Sequence, residues 1–184
     1  MKKKIAVLLA DGFEEIEAVT CIDILRRAEL DVKIVGVGGM LVTSSHGVGI
    51  SADIEINSYN DSPDAIVLPG GMPGVQNLFK TAKAQSLIKE VHQKGNIVAA
   101  ICAAPAYVLA PMGILDGKKA TCYLGCEEKL GKKVIYVDQS VVVDGNTITS
   151  KGPATAMAFA LRIIDLLCGK KVTDTIREKL LYEK

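Results

Sequence analysis

The segment at residues 98–105 (VAAICAAP) carries the cysteine that is best placed for chemistry. An apolar run of strand length ends at Cys102, and small residues follow it, as a sharp turn from a strand into a helix requires. A thiol at such a nucleophile elbow lies near a helix N-terminus, where free backbone N–H groups and the helix dipole favour the thiolate. The pattern predicts a reactive Cys102 with a lowered pKa. The alternative is that Cys102 is only a small buried apolar side chain.

Glu17 is the carboxyl group best placed to assist that thiol. Positions 17, 21, 24, 25 and 28 share one helix face by their spacing, and the last four are apolar. Burial on this stripe disfavours the charged carboxylate, so we expect a raised pKa and a polar partner, for which Cys102 is suited. For Glu14 and Glu15, a simpler explanation is preferred, because acidic residues are favoured in the first turn of any helix.

A glycine-rich loop at residues 69–74 (PGGMPG) follows another predicted strand. It lacks the lysine and hydroxyl residue of a phosphate-binding loop, so the glycines serve either a tight turn or a close approach of the backbone to a ligand. In the second case the backbone N–H groups of Gly71 and Ala103 would form an oxyanion hole beside Cys102.

The two histidines and the other thiols give weaker signals. His92 lies near the end of a polar helix and His46 lies in a Ser- and Gly-rich segment, so nothing local supports a Cys–His hydrolase, although folding could bring the partners together. Cys122 and Cys126 have a spacing that could clamp a soft metal, but two thiols without further ligands make a poor site. No metal and no cofactor are expected.

Composition excludes several classes of protein. The chain has 184 residues, 22 basic and 21 acidic side chains, a net charge of +1 and 49% hydrophobic residues. Disorder and electrostatic binding of nucleic acid are therefore not expected, and the length fits a single domain over residues 1–184. Five cysteines without a C-x-x-C pair indicate reduced thiols. No apolar run approaches a membrane span, and no signal peptide is recognised, so a cytoplasmic location and no membrane association are expected.

Apolar runs of strand length alternate with segments of helical period along the chain. Buried-type strands separated by helices indicate an α/β three-layer sandwich with a mostly parallel central sheet, whose chemistry lies beyond the carboxyl ends of the strands. The predicted strands are residues 4–10, 31–37, 65–68, 97–101, 134–137, 141–143 and 147–149. The predicted helices are residues 13–29, 84–93, 103–110, 153–167 and 172–181. Residues 40–56 are expected to form short strands or a hairpin away from the main sheet.

Five ordered motifs carry a resemblance to a known family. They are residues 10–17 (ADGFEEIE), 23–28 (DILRRA), 68–71 (LPGG), 100–103 (AICA) and 149–153 (TSKGP). On these marks the chain resembles the DJ-1/ThiJ/PfpI superfamily, and specifically its DJ-1-like branch, over essentially its whole length.

The resemblance implies a flavodoxin-like sandwich and a homodimer. It implies that Cys102 is an oxidation-prone thiol hydrogen-bonded by a protonated Glu17, with Gly71 and Ala103 as backbone donors. Arg27 falls where the family brings an arginine close to the site of the partner subunit, and His46 falls where relatives often carry Arg.

Two departures from the family pattern bear on the activity. Ala103 follows the cysteine where protease and amidotransferase relatives usually have His, and Cys122 aligns with a histidine of the animal relatives, so Cys122 is either a stand-in or a resolving thiol. The resemblance thus implies a glyoxalase III or protein deglycase acting on small dicarbonyls or early glycation adducts. The alternative is an oxidative-stress sensor or redox-regulated chaperone in which Cys102 becomes a sulfinate. A cysteine peptidase or amidase is less favoured.

Overall fold

The computed structural model of the chain describes residues 2–182, which form eleven strands and six α-helices. The strands are β1 Lys4–Ala10, β2 Asp31–Val37, β3 Leu41–Thr43, β4 Gly49–Ser51, β5 Ile54–Glu55, β6 Ala65–Leu68, β7 Ile97–Ile101, β8 Lys119–Ala120, β9 Ile135–Tyr136, β10 Val141–Asp144 and β11 Thr147–Ser150. The helices are α1 Glu15–Arg27, α2 Gly74–Lys80, α3 Ala82–Gln93, α4 Glu127–Leu130, α5 Ala156–Cys168 and α6 Lys170–Lys179. None of the helices in this part of the chain is long and apolar enough to cross a membrane.

Seven strands form the main sheet in the order β10-β11-β7-β6-β1-β2-β5. Every neighbouring pair is parallel except β10 and β11, which form an antiparallel hairpin at one edge. The central strands are buried along almost their whole length, which explains why they read as continuous apolar runs. The predicted α/β fold with a mostly parallel sheet is confirmed.

The helices cover both faces of the sheet. The chain moves through α1 from β1 to β2 on one side and through α2 and α3 from β6 to β7 on the other. Because both connections are right-handed crossovers running in opposite directions, α1 and α3 lie on opposite faces. Helix α5 packs against α1 and carries α6 on its outer side.

Several predicted elements differ from the observed ones. Residues 40–56 form the separate hairpin β3–β4, but β5 then adds to the edge of the main sheet beside β2. Helix α2 was not expected, because its start lies within the glycine-rich loop. The predicted helix at residues 103–110 is a single π-helical turn, Pro105–Leu109. The predicted strand at residues 134–137 is reduced to β9, which pairs with the unpredicted β8 outside the main sheet.

The register brings four strand ends together at one edge of the sheet. Leu68 at the end of β6 pairs with Ala100, and Ser150 at the end of β11 pairs with Ile101 of β7. Strand β1 runs parallel beside β6 and ends at Ala10. The residues that follow these four strands therefore meet at this edge, where the sequence predicts the chemistry.

Candidate active site

Cys102 stands directly after β7 in a backbone conformation that L-residues rarely adopt, with a φ of 65°. A left-handed conformation at a non-glycine residue costs on the order of 1–3 kcal/mol and is retained only where neighbouring contacts enforce it. Two contacts do so here. The N–H of Cys102 donates to the carbonyl of Ser150 at 2.9 Å, and its carbonyl accepts from the N–H of Tyr123 at 2.8 Å. The predicted elbow is thus present, and its side chain is only 8% exposed.

The glycine-rich loop covers the cysteine from the side of β6. A Cβ atom on Gly70 would lie 2.5 Å from Cβ of Cys102 and 3.0 Å from Oε2 of Glu17, so only glycine fits at position 70. Gly71 adopts a φ of 90° and presses against the backbone that leads into α1. Its N–H and that of Ala103 both hydrogen-bond the sulfur of Cys102. The loop backbone thus packs closely against Cys102 and Glu17, and the close approach to a ligand stays a prediction; the sequence singled out Gly71 and missed Gly70.

Glu17 lies on the apolar stripe of α1 and is fully buried. Its Oε2 accepts a 2.7 Å hydrogen bond from the N–H of Gly70, and the carboxyl group also hydrogen-bonds Cys102. Burial raises the pKa of Glu17 from 4.5 to about 7, and the bonds from Gly70 and Cys102 offset only part of that effect. The raised pKa and the contact with Cys102 agree with the sequence-based prediction.

The pKa of the Cys102 thiol differs from the predicted one. Burial raises its pKa well above the ordinary value, the charge of Glu17 adds to this, and the N–H groups of Ala103 and Gly71 lower it only in part. The lowered pKa predicted from the helix N-terminus is therefore wrong, because loss of water beside a second acid outweighs two backbone dipoles. Glu17 disfavours the thiolate of Cys102, whereas the hydrogen bond with Cys102 favours the carboxylate of Glu17, so the pair titrates as a unit and keeps one proton over a wide pH range.

His46 and Arg27 make their side-chain contacts with residues other than Cys102. Nδ1 of the exposed His46 lies 2.9 Å from Oε1 of Glu15, and this hydrogen bond raises the pKa of His46. Arg27 pairs with Asp23 at 2.7 Å in the last turn of α1, ten residues and about 15 Å along the helix from Glu17. No histidine of the described chain is among the groups that act on the Cys102 thiol.

The loop after β8 brings Tyr123, which the sequence analysis did not select, against Cys102. Its N–H makes the bond to the Cys102 carbonyl described above. Cys122 is 1% exposed, and burial, Cys126 and Glu127 raise the pKa of its thiol to about 12. The five cysteines are all free. The proposed role of Cys122 as a stand-in for histidine or a resolving thiol stays a prediction. The observed backbone contact with Cys102 is made by Tyr123.

One group of three side chains among residues 2–182 could offer ligand atoms to a metal ion. The ligand atoms of Glu14, Glu15 and His46 lie within 4.8 Å of one another. They already bond each other and Ser45, and His46 is exposed. Cys122 and Cys126 do not belong to any such group of three.

Comparisons with known proteins place these features in one family. The family model "DJ-1/PfpI family" matches residues 3–166. The protein dj-1beta of Drosophila melanogaster is 40% identical over 184 residues, covering 98% of both chains, and its crystal structure superposes with a TM-score of 0.96 over 100% of both chains at 38% identity. Protein DJ-1 homolog B of Arabidopsis thaliana is 39% identical over 92% of this chain, which spans only 39% of that relative. A relative from Caenorhabditis elegans, "Glutathione-independent glyoxalase DJR-1.2", is 34% identical over 187 residues, covering 100% of this chain and 98% of its own.

The raised pKa of Glu17 predicts how stability depends on pH. The folded chain binds this proton more tightly than the unfolded chain, so the contribution of Glu17 is full below pH 4.5 and is lost as the pH rises to about 7. This loss amounts to ~3 kcal/mol of unfolding free energy. Glu17→Gln keeps an acceptor for the N–H of Gly70 and stays neutral, so we expect it to gain that amount over the native chain between pH 4 and pH 8 in urea unfolding. Glu128→Gln, at an exposed carboxyl, is the control, and parallel pH curves for Glu17→Gln and the native chain would contradict the assignment.

Proposed function

Because the chain belongs to the DJ-1/PfpI family, we propose that it converts small reactive dicarbonyls such as glyoxal and methylglyoxal, or their early glycation adducts, by glyoxalase III or deglycase chemistry without a cofactor. The observation that carries the proposal is the buried pair of Cys102 and Glu17 under two backbone N–H donors. A relative that covers the whole chain is named as a glutathione-independent glyoxalase, which supports the same chemistry.

The pair supplies a nucleophile and a base that share one proton. When the proton resides on Glu17, Cys102 is a thiolate stabilised by the N–H groups of Gly71 and Ala103, and this is the form that attacks. Loss of one proton from the pair near pH 7 follows from the raised pKa of Glu17. Activity is therefore expected to rise with pH through about 7, since the pair then carries the single negative charge that attack requires.

The proposed reaction with methylglyoxal balances with one molecule of water. The sulfur of Cys102 bonds to the aldehyde carbon, and the carbonyl oxygen takes the proton of Glu17 to give a hemithioacetal. The carboxylate of Glu17 then removes the proton from that carbon and returns one to the neighbouring ketone carbon. The hydroxyl proton of the hemithioacetal moves to the former ketone oxygen, which yields a thioester of the hydroxy acid. Water cleaves the thioester, releasing lactate and regenerating the thiol. The N–H groups of Gly71 and Ala103 would stabilise the negative oxygen in the addition and cleavage steps.

Substitution of the pair tests the mechanism. We expect Cys102→Ala to abolish lactate formation from methylglyoxal and Glu17→Gln to lower kcat/KM by about 100-fold or more, the usual loss when a general acid–base is removed. The residual activity of Glu17→Gln is expected to lose its inflection near pH 7. Cys126→Ala, at another free thiol, is the control and should behave like the native protein. Turnover in Cys102→Ala comparable with the native rate would refute the mechanism.

A second candidate function is favoured by the donors around the sulfur. The N–H groups of Gly71 and Ala103 and a protonated Glu17 are suited to bind the oxygens of a sulfinate, so Cys102 could act as an oxidative-stress sensor or the switch of a redox-regulated chaperone. Two equivalents of a hydroperoxide supply the two oxygen atoms and leave two molecules of the corresponding alcohol, or of water.

Mild peroxide treatment tests this second candidate. We expect peptide mass spectrometry to show two added oxygens on Cys102 first, ahead of the partly exposed Cys126 and Cys168. Glu17→Gln should shift the product distribution away from a stable sulfinate, because the acid that holds it is lost. Oxidation of all five cysteines at similar rates would count against a sensor role. A peptidase or amidase is not proposed, because the His46 ring bonds Ser45 and Glu15, and the pKa of His92 is lowered by burial and by Lys118 rather than affected by Cys102.

We also propose a homodimer that uses the outer side of α1. Ile16 and Val19 are exposed on this helix three residues apart, and Val48 is exposed on the loop between β3 and β4 that bonds to the first turn of α1. Arg27 lies at the end of the same helix. A second copy packed on this side would cover the apolar side chains and would bring Arg27 towards the partner.

Sedimentation velocity tests the dimer. The native chain is expected to sediment as a dimer and Val19→Glu as a folded monomer, because a charge in the centre of an apolar interface cannot be solvated. Leu124→Glu, which changes an exposed apolar residue outside α1, should leave the dimer intact. A native monomer at micromolar concentration, or a Val19→Glu dimer of unchanged affinity, would show that this surface is not the interface.

A further inference from the structure

Tyr123 is a bulky residue that a backbone hydrogen bond holds beside Cys102. Its N–H donates to the Cys102 carbonyl at 2.8 Å, which fixes the start of the side chain relative to the thiol. Its ring lies over Gly152, with Cδ2 3.2 Å from the position that a Cβ on Gly152 would occupy. The side chain is 48% exposed, so its other face borders solvent. The ring therefore stands between solvent and the residues beneath it.

A polar atom without a partner lies below this ring. Oε1 of Glu17 is buried and makes no hydrogen bond within the described residues. It lies 4.0 Å from the same position above Gly152 that is 3.2 Å from the Tyr123 ring. A buried carboxyl oxygen that lacks a partner costs free energy unless a ligand supplies one. The space beside Gly152 is thus where a bound molecule would reach Glu17.

Backbone groups close part of the space around the pair. Gly70 packs against both Cys102 and Glu17, and the backbones of Gly71 and Ala103 contact the sulfur. Backbone that is hydrogen-bonded in this way cannot move aside for a larger ligand. A side chain that rotates, or is replaced, can do so. Among these neighbours of the pair, Tyr123 is the one whose side-chain volume can be changed without removing a backbone contact.

We propose that Tyr123 is a specificity-determining residue that limits the Cys102 site to small unbranched dicarbonyls and rejects those with a ring beside the ketone, a substrate class that rests on the function proposed above. The ring acts by its volume. Tyr123→Phe should therefore retain the selectivity, whereas Tyr123→Ala should relax it. Alanine keeps the backbone N–H that bonds Cys102, so this variant removes the ring and leaves the bond.

Chemical labelling of Cys102 tests this proposed gate, which is the restriction of access to the thiol by the Tyr123 ring. The test does not require turnover. Native and variant proteins are treated with iodoacetamide and with the much larger N-(1-pyrenyl)maleimide, and peptide mass spectrometry gives the rate at Cys102. We expect Tyr123→Ala to raise the ratio of the large-reagent to the small-reagent rate constant about tenfold, a typical discrimination for a pocket that fits by shape. Tyr123→Phe and the neighbouring control Leu124→Ala should stay within about twofold of the native ratio.

An unchanged ratio in Tyr123→Ala, or equal acceleration of both reagents, overturns the proposal. Melting temperature and circular dichroism establish that each variant is folded. Should Tyr123→Ala not fold, Tyr123→Leu replaces it with a side chain that still covers Gly152 but is narrower, and its ratio is expected to rise about threefold. An unchanged ratio in the folded Tyr123→Leu variant also overturns the proposal.

Turnover then separates the gate from the chemistry. The ratio of kcat/KM for phenylglyoxal to that for methylglyoxal is expected to rise about tenfold in Tyr123→Ala and to remain native in Leu124→Ala. If the native protein converts neither dicarbonyl, the proposed function fails. The labelling ratio still shows whether Tyr123 restricts access to Cys102. If methylglyoxal is converted and Tyr123→Ala leaves both ratios unchanged, the gate fails and the function stands.

Discussion

The site depends on holding a carboxyl group and a thiol together where water does not reach them. Glu17 is fully buried and Cys102 nearly so; burial disfavours the charged form of both groups, and Glu17 further disfavours the thiolate of Cys102. One proton is therefore shared between two acids, and its position decides whether the sulfur or the carboxylate is the charged atom. The N–H groups of Gly71 and Ala103 favour the state in which the sulfur is charged, because they stabilise the thiolate.

Bringing the two acids into contact requires an unusual backbone around them. The residues after β1, β6, β7 and β11 meet at one edge of the sheet, and the space between them has no room for a side chain at position 70. Cys102 itself is strained, and bonds to Ser150 and Tyr123 from two other segments hold it in place. Strain at the nucleophile is thus maintained by tertiary contacts, so the free energy that orients the thiol comes from the packing of the whole sheet edge.

The sequence predicts the parts of this arrangement that follow from local pattern. The apolar runs predict the parallel strands, and the place of Glu17 on an apolar stripe predicts its burial and raised pKa. The pKa of Cys102 could not be obtained in the same way, because the helix N-terminus is visible in the sequence while the loss of water and the nearby charge of Glu17 arise only on folding. Tyr123 could not be predicted for a related reason: its contact with Cys102 is made by the backbone, which carries no residue-type signal.

The two candidate functions compete for a single state of the protein. A hemithioacetal oxygen and a sulfinate oxygen would occupy the same N–H donors, and both begin from the thiolate that forms when Glu17 holds the proton. Glu17 is the titratable group with the largest effect on the Cys102 thiol, so a substitution that favours the thiolate accelerates both reactions. Oxidation of Cys102 removes the nucleophile and ends dicarbonyl chemistry at that site. Selection between them therefore depends on which reactant reaches the thiolate first, and the restriction proposed at Tyr123 would exclude large dicarbonyls while admitting both methylglyoxal and hydrogen peroxide.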